Sequence, residues 1–419
     1  MKLSQLEQRL CQKIQANERE LIALLRDLVA IDTSDPPAEN YDKCSDYLVT
    51  YLSDFLNDIS ILDLYNDSKS YNANKKMPRP NVLGILPGTN NRPTLHFNGH
   101  YDVVQATGNW NNGPYNPVIK DGRLYGRGSA DMKAGIAAFL IALKTLVKES
   151  IPLKGALSFS FVPDEENDGP AGTKFLIEQN KVSADYCIVM EPSGGYGIYN
   201  GHKGNLLLEL TVFGKAAHAS SPWEGINAFD KMIDILTELK AKLKSKYKTD
   251  QYYILDPTQI REAGTISIGG RVSTGESPNV VPSKCSVTLD RRLAPGETIT
   301  EALNDINSTL VAAKKKDPKL QANINILSEY EPCAISIDSP LVNVLTSSIE
   351  SITNKQPSIS LMKAGCDMRY FNYAGIPTVI YGPGDLSIAH QVNEYVDLSQ
   401  VLLAAQVYAV TAIRLLEIQ

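Results

Sequence analysis

The sequence has few of the residues that mark several familiar classes of protein. Its 419 residues include only five histidines and six cysteines, and the cysteines form neither a CxxC pair nor a dense framework. Scattered cysteines of this kind are typical of reduced thiols, so we expect a cytoplasmic protein without a disulfide scaffold. Basic residues form no stripe and the formal net charge is −6, which argues against a nucleic-acid partner.

Long apolar runs are also missing from the sequence. We find no stretch approaching the roughly 20 residues that a helix needs to span a bilayer. The polar, mixed-charge start of the chain has no signal-peptide core, so we expect no membrane partner. Hydrophobic residues make up 43% of the chain and charged residues 21%, which is ordinary for a folded protein. The length predicts two domains.

Short apolar runs alternate with helical patterns in the first half of the chain. Runs such as Thr94–Asn98, Ala156–Val162 and Tyr186–Met190 surround helical segments such as Ala134–Val147. This alternation predicts an α/β sheet with helical crossovers. His96 stands inside the first of these apolar runs, and we interpret it as a core histidine.

The pattern changes after residue 203. Strand, helix, strand, strand, helix and strand signals follow one another from about Gly204 to about Tyr330, which is the order of a ferredoxin-like domain. Its first helix is predicted over Ala228–Leu243, with Phe229 and Ile233 on the apolar face. Signals of the first type resume afterwards, so we predict one domain of residues 1–203 and 331–419, interrupted by an insert of residues 204–330.

Side chains of the kind that bind metals follow four apolar runs where each run ends. These side chains are His100, Asp102, Asp164, Glu165, Glu166, Glu191, His390 and Glu394. Because the carboxyl ends of parallel strands form one edge of an open α/β sheet, we expect residues from distant parts of the sequence to converge there.

The residue types at these strand ends indicate a metal site. Two histidines with several carboxylates and no nearby cysteine suit zinc, cobalt or manganese better than calcium. The acids outnumber the ligands of one tetrahedral ion, which indicates two ions that share a bridging carboxylate. Asp131 is the candidate bridge, because the glycines of Gly126–Lys133 let the backbone approach a site closely just before a helix.

Each candidate also has a structural interpretation that stays open at this point. His100 could be a buried structural histidine, Asp131 a helix cap, and Glu191 a turn residue, while Glu165 and Glu166 could form a solvated pair. Other catalytic motifs are missing from the sequence: there is no GxSxG, HExxH or Walker A motif, no complete dinucleotide fingerprint, and no cysteine beside a base.

Several segments resemble, in the same order, the M20 metallopeptidases, and most closely the branch of acetylornithine deacetylase and succinyl-diaminopimelate desuccinylase. They are His100–Asp102, Gly126–Lys133, Glu165–Glu166, Glu191–Ser193 and Ala389–Glu394. The resemblance covers nearly the whole chain. It implies a zinc-peptidase-like catalytic domain (1–203 and 331–419), with a mixed, mostly parallel sheet and helices on both faces, and an inserted α+β lid and dimerisation domain (204–330).

The resemblance also implies roles for the metal ligands. His100 and Glu191 would bind one Zn²⁺ ion, Glu166 and His390 would bind a second, and Asp131 would bridge the two. Co²⁺ or Mn²⁺ would be able to take the place of zinc.

Further roles follow from the same resemblance. Asp102 would orient His100, and Glu165 would be the general base. His218 would cross a homodimer, formed through the insert, to stabilise the oxyanion. The residues that would hold a substrate carboxylate are Asn279, Arg292, Gly365 and Arg369. The family often has a hydroxyl residue where Cys366 stands, which is a departure among the substrate contacts.

We therefore expect a metal-dependent hydrolase that cleaves the amide bond of a small N-acyl amino acid, of the acetylornithine deacetylase or succinyl-diaminopimelate desuccinylase type. A dipeptidase or carboxypeptidase of the same family is the alternative enzyme, and a dipeptide its substrate. A catalytically silent metal-binding protein is a third hypothesis, against which the presence of Glu165 argues.

Overall fold

The chain folds into two compact units, each with more contacts within itself than with the other. The computed structural model describes residues 2–67, 77–167, 170–247, 264–275 and 277–417. The first unit comprises Met1–Asn200, Ile335–Ser360 and Cys366–Gln419, and the second comprises Gly201–Ala334 and Leu361–Gly365. This division differs by three and four residues from the predicted boundaries at 203 and 330. It also places Leu361–Gly365 in the second unit, whereas the prediction places this segment in the first domain (331–419).

The described residues form eleven α-helices. In chain order they are α1 (Gln5–Ala16), α2 (Glu18–Ala30), α3 (Tyr41–Ser53), α4 (Leu64–Asp67), α5 (Lys133–Lys148), α6 (Thr173–Glu178), α7 (Ala228–Tyr247), α8 (Ile299–Lys316), α9 (Pro340–Thr353), α10 (Met368–Tyr373) and α11 (Leu398–Leu416). Two short 3₁₀ turns cover Glu165–Asn167 and Pro222–Glu224.

The described residues also form eighteen β-strands. They are β1 (Ser34–Asp35), β2 (Ile59–Asp63), β3 (Pro80–Leu86), β4 (Thr94–His100), β5 (Val103–Val104), β6 (Val118–Lys120), β7 (Arg123–Tyr125), β8 (Ala156–Val162), β9 (Tyr186–Val189), β10 (Gly197–His202), β11 (Gly204–Phe213), β12 (Thr265–Thr274), β13 (Lys284–Leu293), β14 (Gln321–Tyr330), β15 (Cys333–Ala334), β16 (Ser358–Met362), β17 (Thr378–Ile380) and β18 (Tyr395–Asp397).

A mixed sheet lies at the centre of the first unit, as predicted. Seven of its nine described strands are neighbours in the order β10, β17, β9, β4, β8, β3 and β2, and β15 and β16 pair with β10. The pairs β17–β9, β9–β4 and β4–β8 are parallel, whereas β10–β17, β8–β3 and β3–β2 are antiparallel. Parallel pairing is therefore confined to the four central strands, so the sheet is mixed as predicted but not mostly parallel. The carboxyl ends of these four strands share one edge of the sheet.

Helices cover both faces of this sheet, because alternate residues of a strand point to opposite sides. On one face, the ring of Phe97 in β4 packs 4.7 Å from that of Phe139 in α5 and 5.2 Å from that of Tyr408 in α11. On the other face, the ring of His96 lies 5.5 Å from that of Phe371 in α10. The prediction of an α/β fold is confirmed.

Helix α11 is long and apolar enough to cross a membrane by length and composition alone, with a mean hydropathy of 1.4. The expectation that no apolar stretch approaches this length is therefore wrong. The protein itself buries 72% of that stretch, and α11 packs against α5, α9 and α1. Burial in the core of the first unit accounts for its composition.

The second unit is a ferredoxin-like α+β domain, as predicted. Its antiparallel sheet has the strand order β12, β13, β11, β14, and α7 and α8 pack on it. The apolar residues of α7 that are buried in this contact are Ala228, Met232, Ile235, Leu239 and Leu243. Phe229 and Ile233, predicted on the buried face, are instead 40% and 47% exposed.

Candidate metal centre

The predicted metal ligands gather at the carboxyl edge of the central strands of the first unit. Strand β4 ends at His100, β8 is followed closely by Glu166, and β9 by Glu191. Asp131 lies two residues before the start of α5, and His390 lies between β17 and β18. Potential ligand atoms lie within 4.8 Å of one another in two groups, His100–Asp131–Glu166 and His100–Glu165–Glu191.

Asp131 faces both predicted histidine ligands, each with a different oxygen. Its Oδ1 lies 3.2 Å from His100 Nε2, and its Oδ2 lies 3.3 Å from His390 Nε2. At the start of α5, the N–H groups of Lys133 and Gly135 donate to backbone carbonyl oxygens. These N–H groups therefore do not need Asp131 as a helix cap. Because its two oxygens face two different histidines, the Asp131 carboxylate has the geometry of a bridging ligand.

One glutamate accompanies each histidine. Glu191 Oε1 lies 3.4 Å from His100 Nε2, and Glu166 Oε1 lies 3.0 Å from His390 Nε2. Together with one oxygen of Asp131, each side offers an imidazole nitrogen and two carboxylate oxygens. Three such donors with an open fourth position are the composition of a catalytic zinc site, so the residues fit a pair of such ions.

The electrostatics of the cluster favour cations. Burial raises the pKa of Glu191 to about 8, and the neighbouring Asp131 adds to the effect. Burial also raises the pKa values of Glu165 and Glu166 above their usual range. Hydrogen bonds with Asp131 and Glu166 raise the pKa of His390 to about 10. Divalent cations would offset the repulsion among the acids and allow both imidazoles to be neutral ligands.

Asp102 contacts its predicted partner and also the loop after β8. His100 Nδ1 lies 3.0 Å from the Asp102 carbonyl oxygen and 3.5 Å from its Oδ1. The two carboxylate oxygens of this buried residue accept the backbone N–H groups of Glu165 and Glu166, at 3.2 and 3.1 Å. Asp102 therefore ties the segment that carries Glu165 and Glu166 to the strand end that carries His100.

Glu165 and Glu166 are not a solvated pair, since their side chains are only 12% and 8% exposed. Glu165 Oε2 lies 4.0 Å from His100 Nε2, farther than the nearest carboxylate oxygens of Asp131 and Glu191. Glu165 therefore stands beside the ligands, at a greater distance from the imidazole than they do.

Comparison with known proteins identifies the family. Residues 96–414 match the model of peptidase family M20/M25/M40. The chain belongs to this family. The M20 resemblance of the sequence is thus confirmed, and the protein is an M20 metal-dependent amidohydrolase or peptidase.

Two relatives and one solved structure show how far the similarity of this M20 chain extends. N-formyl-4-amino-5-aminomethyl-2-methylpyrimidine deformylase of Bacillus subtilis is 30% identical, over 93% of this chain and 93% of its own. The probable succinyl-diaminopimelate desuccinylase of Staphylococcus aureus strain N315 is 27% identical, over 96% and 98%. The crystal structure of aminopeptidase PepT from Bacillus cereus matches with a TM-score of 0.76 at 19% identity, over 96% and 99%.

The second unit of this M20 hydrolase places His218 beside Asn279. The N–H of Ala219 donates to the Asn279 carbonyl oxygen at 2.9 Å, and His218 pairs with Val280 in a β-bridge. The exposed His218 ring accepts the N–H of Ser220 at Nδ1, at 3.2 Å. Nδ1 also lies 2.8 Å from the Ser220 hydroxyl oxygen. A neutral ring whose Nδ1 accepts both groups carries its proton on Nε2, where it is available to a ligand as a donor.

Arg292 and Gly365, two further predicted substrate residues, share Tyr330 in the same unit. Arg292 Nη1 lies 3.4 Å from the Tyr330 hydroxyl, which also accepts the N–H of Gly365 at 3.0 Å. A Cβ at Gly365 would lie 2.5 Å from the Tyr330 ring, so this close approach requires glycine. Arg292 also pairs with both oxygens of Asp290, at 2.9 and 3.1 Å.

Arg369 belongs to the first unit, where it is buried and donates to the Tyr370 hydroxyl at 3.0 Å.

Two of the acids that follow strand ends do not face the imidazoles. Asp164 pairs with Arg79 at 2.5 Å. Glu394 pairs with Arg127 at 2.6 Å and accepts the backbone N–H groups of Ala130 and Asp131. Sequence reasoning missed Arg127, because nothing in its glycine-rich segment indicates a partner 267 residues away.

Proposed function

We propose that the protein hydrolyses the amide bond of a small N-acyl amino acid with two bound Zn²⁺ ions, which Co²⁺ or Mn²⁺ would be able to replace. The observation that carries this proposal is Asp131, whose two oxygens lie 3.2 and 3.3 Å from the imidazoles of His100 and His390. Support for an acyl substrate comes from the deformylase and the desuccinylase, both of which are named for the removal of an acyl group.

The residues around the ligands would carry the proton transfers. When bound, the two ions would polarise the amide carbonyl and lower the pKa of the attacking water. Glu165 would take a proton from that water and pass it to the leaving amine. Burial, which raises its pKa well above the usual range, favours the proton-holding form that the second transfer needs. Asp102 would keep this base in place by accepting its backbone N–H.

Four residues would recognise the substrate: Asn279, Arg292, Gly365 and Arg369. Arg292 and Arg369 offer guanidinium groups, which match the two oxygens of a carboxylate. The side chain of Asn279 and the backbone at Gly365 would add polar contacts. The Nε2–H of His218 would stabilise the developing oxyanion, because the Ser220 contact leaves that proton available.

We further propose a cytoplasmic homodimer that forms through the second unit. Trp223 is 78% exposed, and Phe229 and Ile233 stand four residues apart on the exposed side of α7. Neighbouring exposed apolar side chains such as Phe229 and Ile233 support a contact with another protein surface. All six cysteines are free, which fits a reducing compartment.

Chelation tests the proposed reaction. Dialysis against a chelator should abolish amine release from acetylornithine or succinyl-diaminopimelate, and Zn²⁺ or Co²⁺ should restore it. Full activity in metal-free protein would refute the mechanism. The same panel should include dipeptides, because cleavage of dipeptides alone would replace the N-acyl assignment with a peptidase. Binding of both ions without turnover of any of these substrates would favour a silent metal-binding protein.

A further inference from the structure

A buried ion pair lies next to two of the predicted metal ligands in the first unit. Arg127 Nη1 is 2.6 Å from Glu394 Oε2, and the two side chains are 2% and 0% exposed. The Trp110 ring also lies by the guanidinium, with its centroid 5.2 Å from the guanidinium carbon. Removing two charges from water is unfavourable unless further hydrogen bonds compensate them, so the other contacts of this pair indicate what it does.

Each member of the pair reaches a different ligand-bearing segment. Glu394 Oε1 accepts the backbone N–H of Ala130 at 2.8 Å and that of Asp131 at 3.2 Å. Arg127 Nη2 donates to the carbonyl oxygen of His390 at 3.2 Å. The ion pair therefore connects the backbone of Asp131 with that of His390.

The local backbone explains why His390 needs such a contact. Its φ is +64°, in the left-handed region that residues other than glycine seldom adopt unless their surroundings hold them there. The same surroundings contain the pairing of β18 with β7, and the N–H of Gly126 donates to the Glu394 carbonyl oxygen at 2.9 Å. Strand pairing thus brings the two loops together, and the ion pair connects them beyond the ends of the strands.

We propose that Arg127 and Glu394 are positioning residues, which set the placement of Asp131 and His390 and thereby the affinity for the ion bound between Asp131, Glu166 and His390. This inference rests on the proposed two-ion site. Both side chains act through the backbone of the ligand segments. A guanidinium suits this role because one planar group donates to Glu394 and to the His390 carbonyl at once, which the single ammonium of lysine cannot reproduce.

The first test is Arg127→Lys. This variant keeps the positive charge but lacks the two guanidinium nitrogens that donate to Glu394 and to the His390 carbonyl oxygen. Titration calorimetry of the metal-free protein with Zn²⁺ should show two binding events in the wild type. In the variant, the event that belongs to the ion held by Asp131, Glu166 and His390 should lose about 10- to 100-fold in affinity, the usual effect of removing a partner that orients a ligand. The other event should change less. The visible spectrum of the Co²⁺-loaded variant should also differ from that of the wild type.

A double variant separates positioning from folding. In Arg127→Met/Glu394→Gln both buried charges are gone, so the thermal stability of the metal-free protein should stay close to that of the wild type. Affinity for the ion beside His390 should nevertheless remain low, because the His390 carbonyl has lost its donor. If affinity recovers together with stability, the pair is only structural and the inference is overturned.

The matched control is Arg123→Met. Arg123 and Asp397 form an ion pair at 2.9 Å between the same two strands, β7 and β18, but the Arg123 side chain is 39% exposed. This variant should bind both ions like the wild type. Unchanged affinities in Arg127→Lys and in the double variant would overturn the inference alone. Fewer than two ions bound by the wild type would instead refute the two-ion proposal, and the inference with it.

Discussion

At the scale of single residues, the carboxylates of the first unit divide by what they face. Asp131, Glu166 and Glu191 face the Nε2 atoms of the imidazoles, whereas Asp102 and Glu394 accept backbone N–H groups of ligand-bearing segments. The position of Asp102, Glu166 and Glu191 after strands was predictable from the sequence, because a strand end fixes the edge of the sheet on which a residue lies. Their orientation was not predictable, because it depends on partners far away in the chain.

Glu165→Gln tests the proposed base. The amide cannot take up a proton, so turnover should fall by about 10²- to 10⁴-fold, the usual contribution of base catalysis. Zn²⁺ content should stay at the wild-type value, and Glu166→Gln is the matched comparison that should lose metal. Steady-state kinetics with metal analysis would show both effects. If Glu165→Gln instead lost metal while turnover persisted, the roles of these adjacent residues would have to be exchanged.

His96 confirms a prediction of a different kind, since it is a core histidine. Its two ring nitrogens lie 2.9 Å from the hydroxyl oxygens of Ser158 and Ser160. The ring is 1% exposed, and burial lowers its pKa to about 3. The apolar residues on either side of His96 in β4 were sufficient to predict burial, while its serine partners on β8 follow only from strand register.

The lowered pKa of His96 has a consequence for acid stability. Between about pH 6.5, the ordinary value, and about pH 3, the unfolded chain binds this proton and the folded chain does not. Stability due to His96 therefore falls as the pH falls through that window, by up to about 1.4 kcal/mol per pH unit. In His96→Gln this contribution should disappear. Urea unfolding of the metal-free wild type and variant at pH 5.5 and 4.5 would measure the free energy of unfolding at each pH. If this free energy changed with pH equally in both proteins, His96 would be protonated in the folded state.

At the scale of elements, helix α5 and the end of strand β9 lie in close contact at Gly135, a residue of α5. This contact sets the distance between Asp131, just before α5, and Glu191, just after β9. A Cβ on Gly135 would lie 2.3 Å from the Met190 carbonyl oxygen, one residue before Glu191. The sequence predicted both elements. It did not indicate which glycine lies at the contact, because that depends on the packing distance between helix and strand.

Gly135→Ala should therefore destabilise the first unit, although alanine is the better helix former. The helix gains up to about 1 kcal/mol in propensity, but an overpacked contact typically costs about 1–3 kcal/mol and would displace Met190. We expect a lower unfolding temperature together with weaker metal binding. Gly270→Ala is the control, because its Cβ would meet only the Thr288 hydroxyl at 3.4 Å. Wild-type stability and affinity in Gly135→Ala would mean that α5 can shift without moving the ligands.

Helix α7 shows where helical periodicity fails as a guide. The residues that pack on its own sheet are Ala228, Met232, Ile235, Leu239 and Leu243. Phe229 and Ile233 have the same spacing but are exposed. Apolar residues at helical spacing predict that one face of a helix is buried. They do not specify whether that face packs against the same domain or against another chain.

At the scale of the whole molecule, the exposed apolar residues of α7 support a homodimer. One experiment can test this homodimer and the proposed role of His218 together. Loss of one oxyanion donor typically lowers turnover by about 10²- to 10³-fold, so His218→Ala should be nearly inactive, as should Glu165→Gln. If His218 acts across the dimer, a mixed pair contains one site with an intact base and an intact donor. Random exchange of equal amounts should then restore about a quarter of the wild-type activity, since half of the dimers are mixed and each has one working site. Differently tagged subunits would show by co-purification that exchange has occurred. No recovery after proven exchange would mean that His218 acts within its own chain or has no part in the reaction.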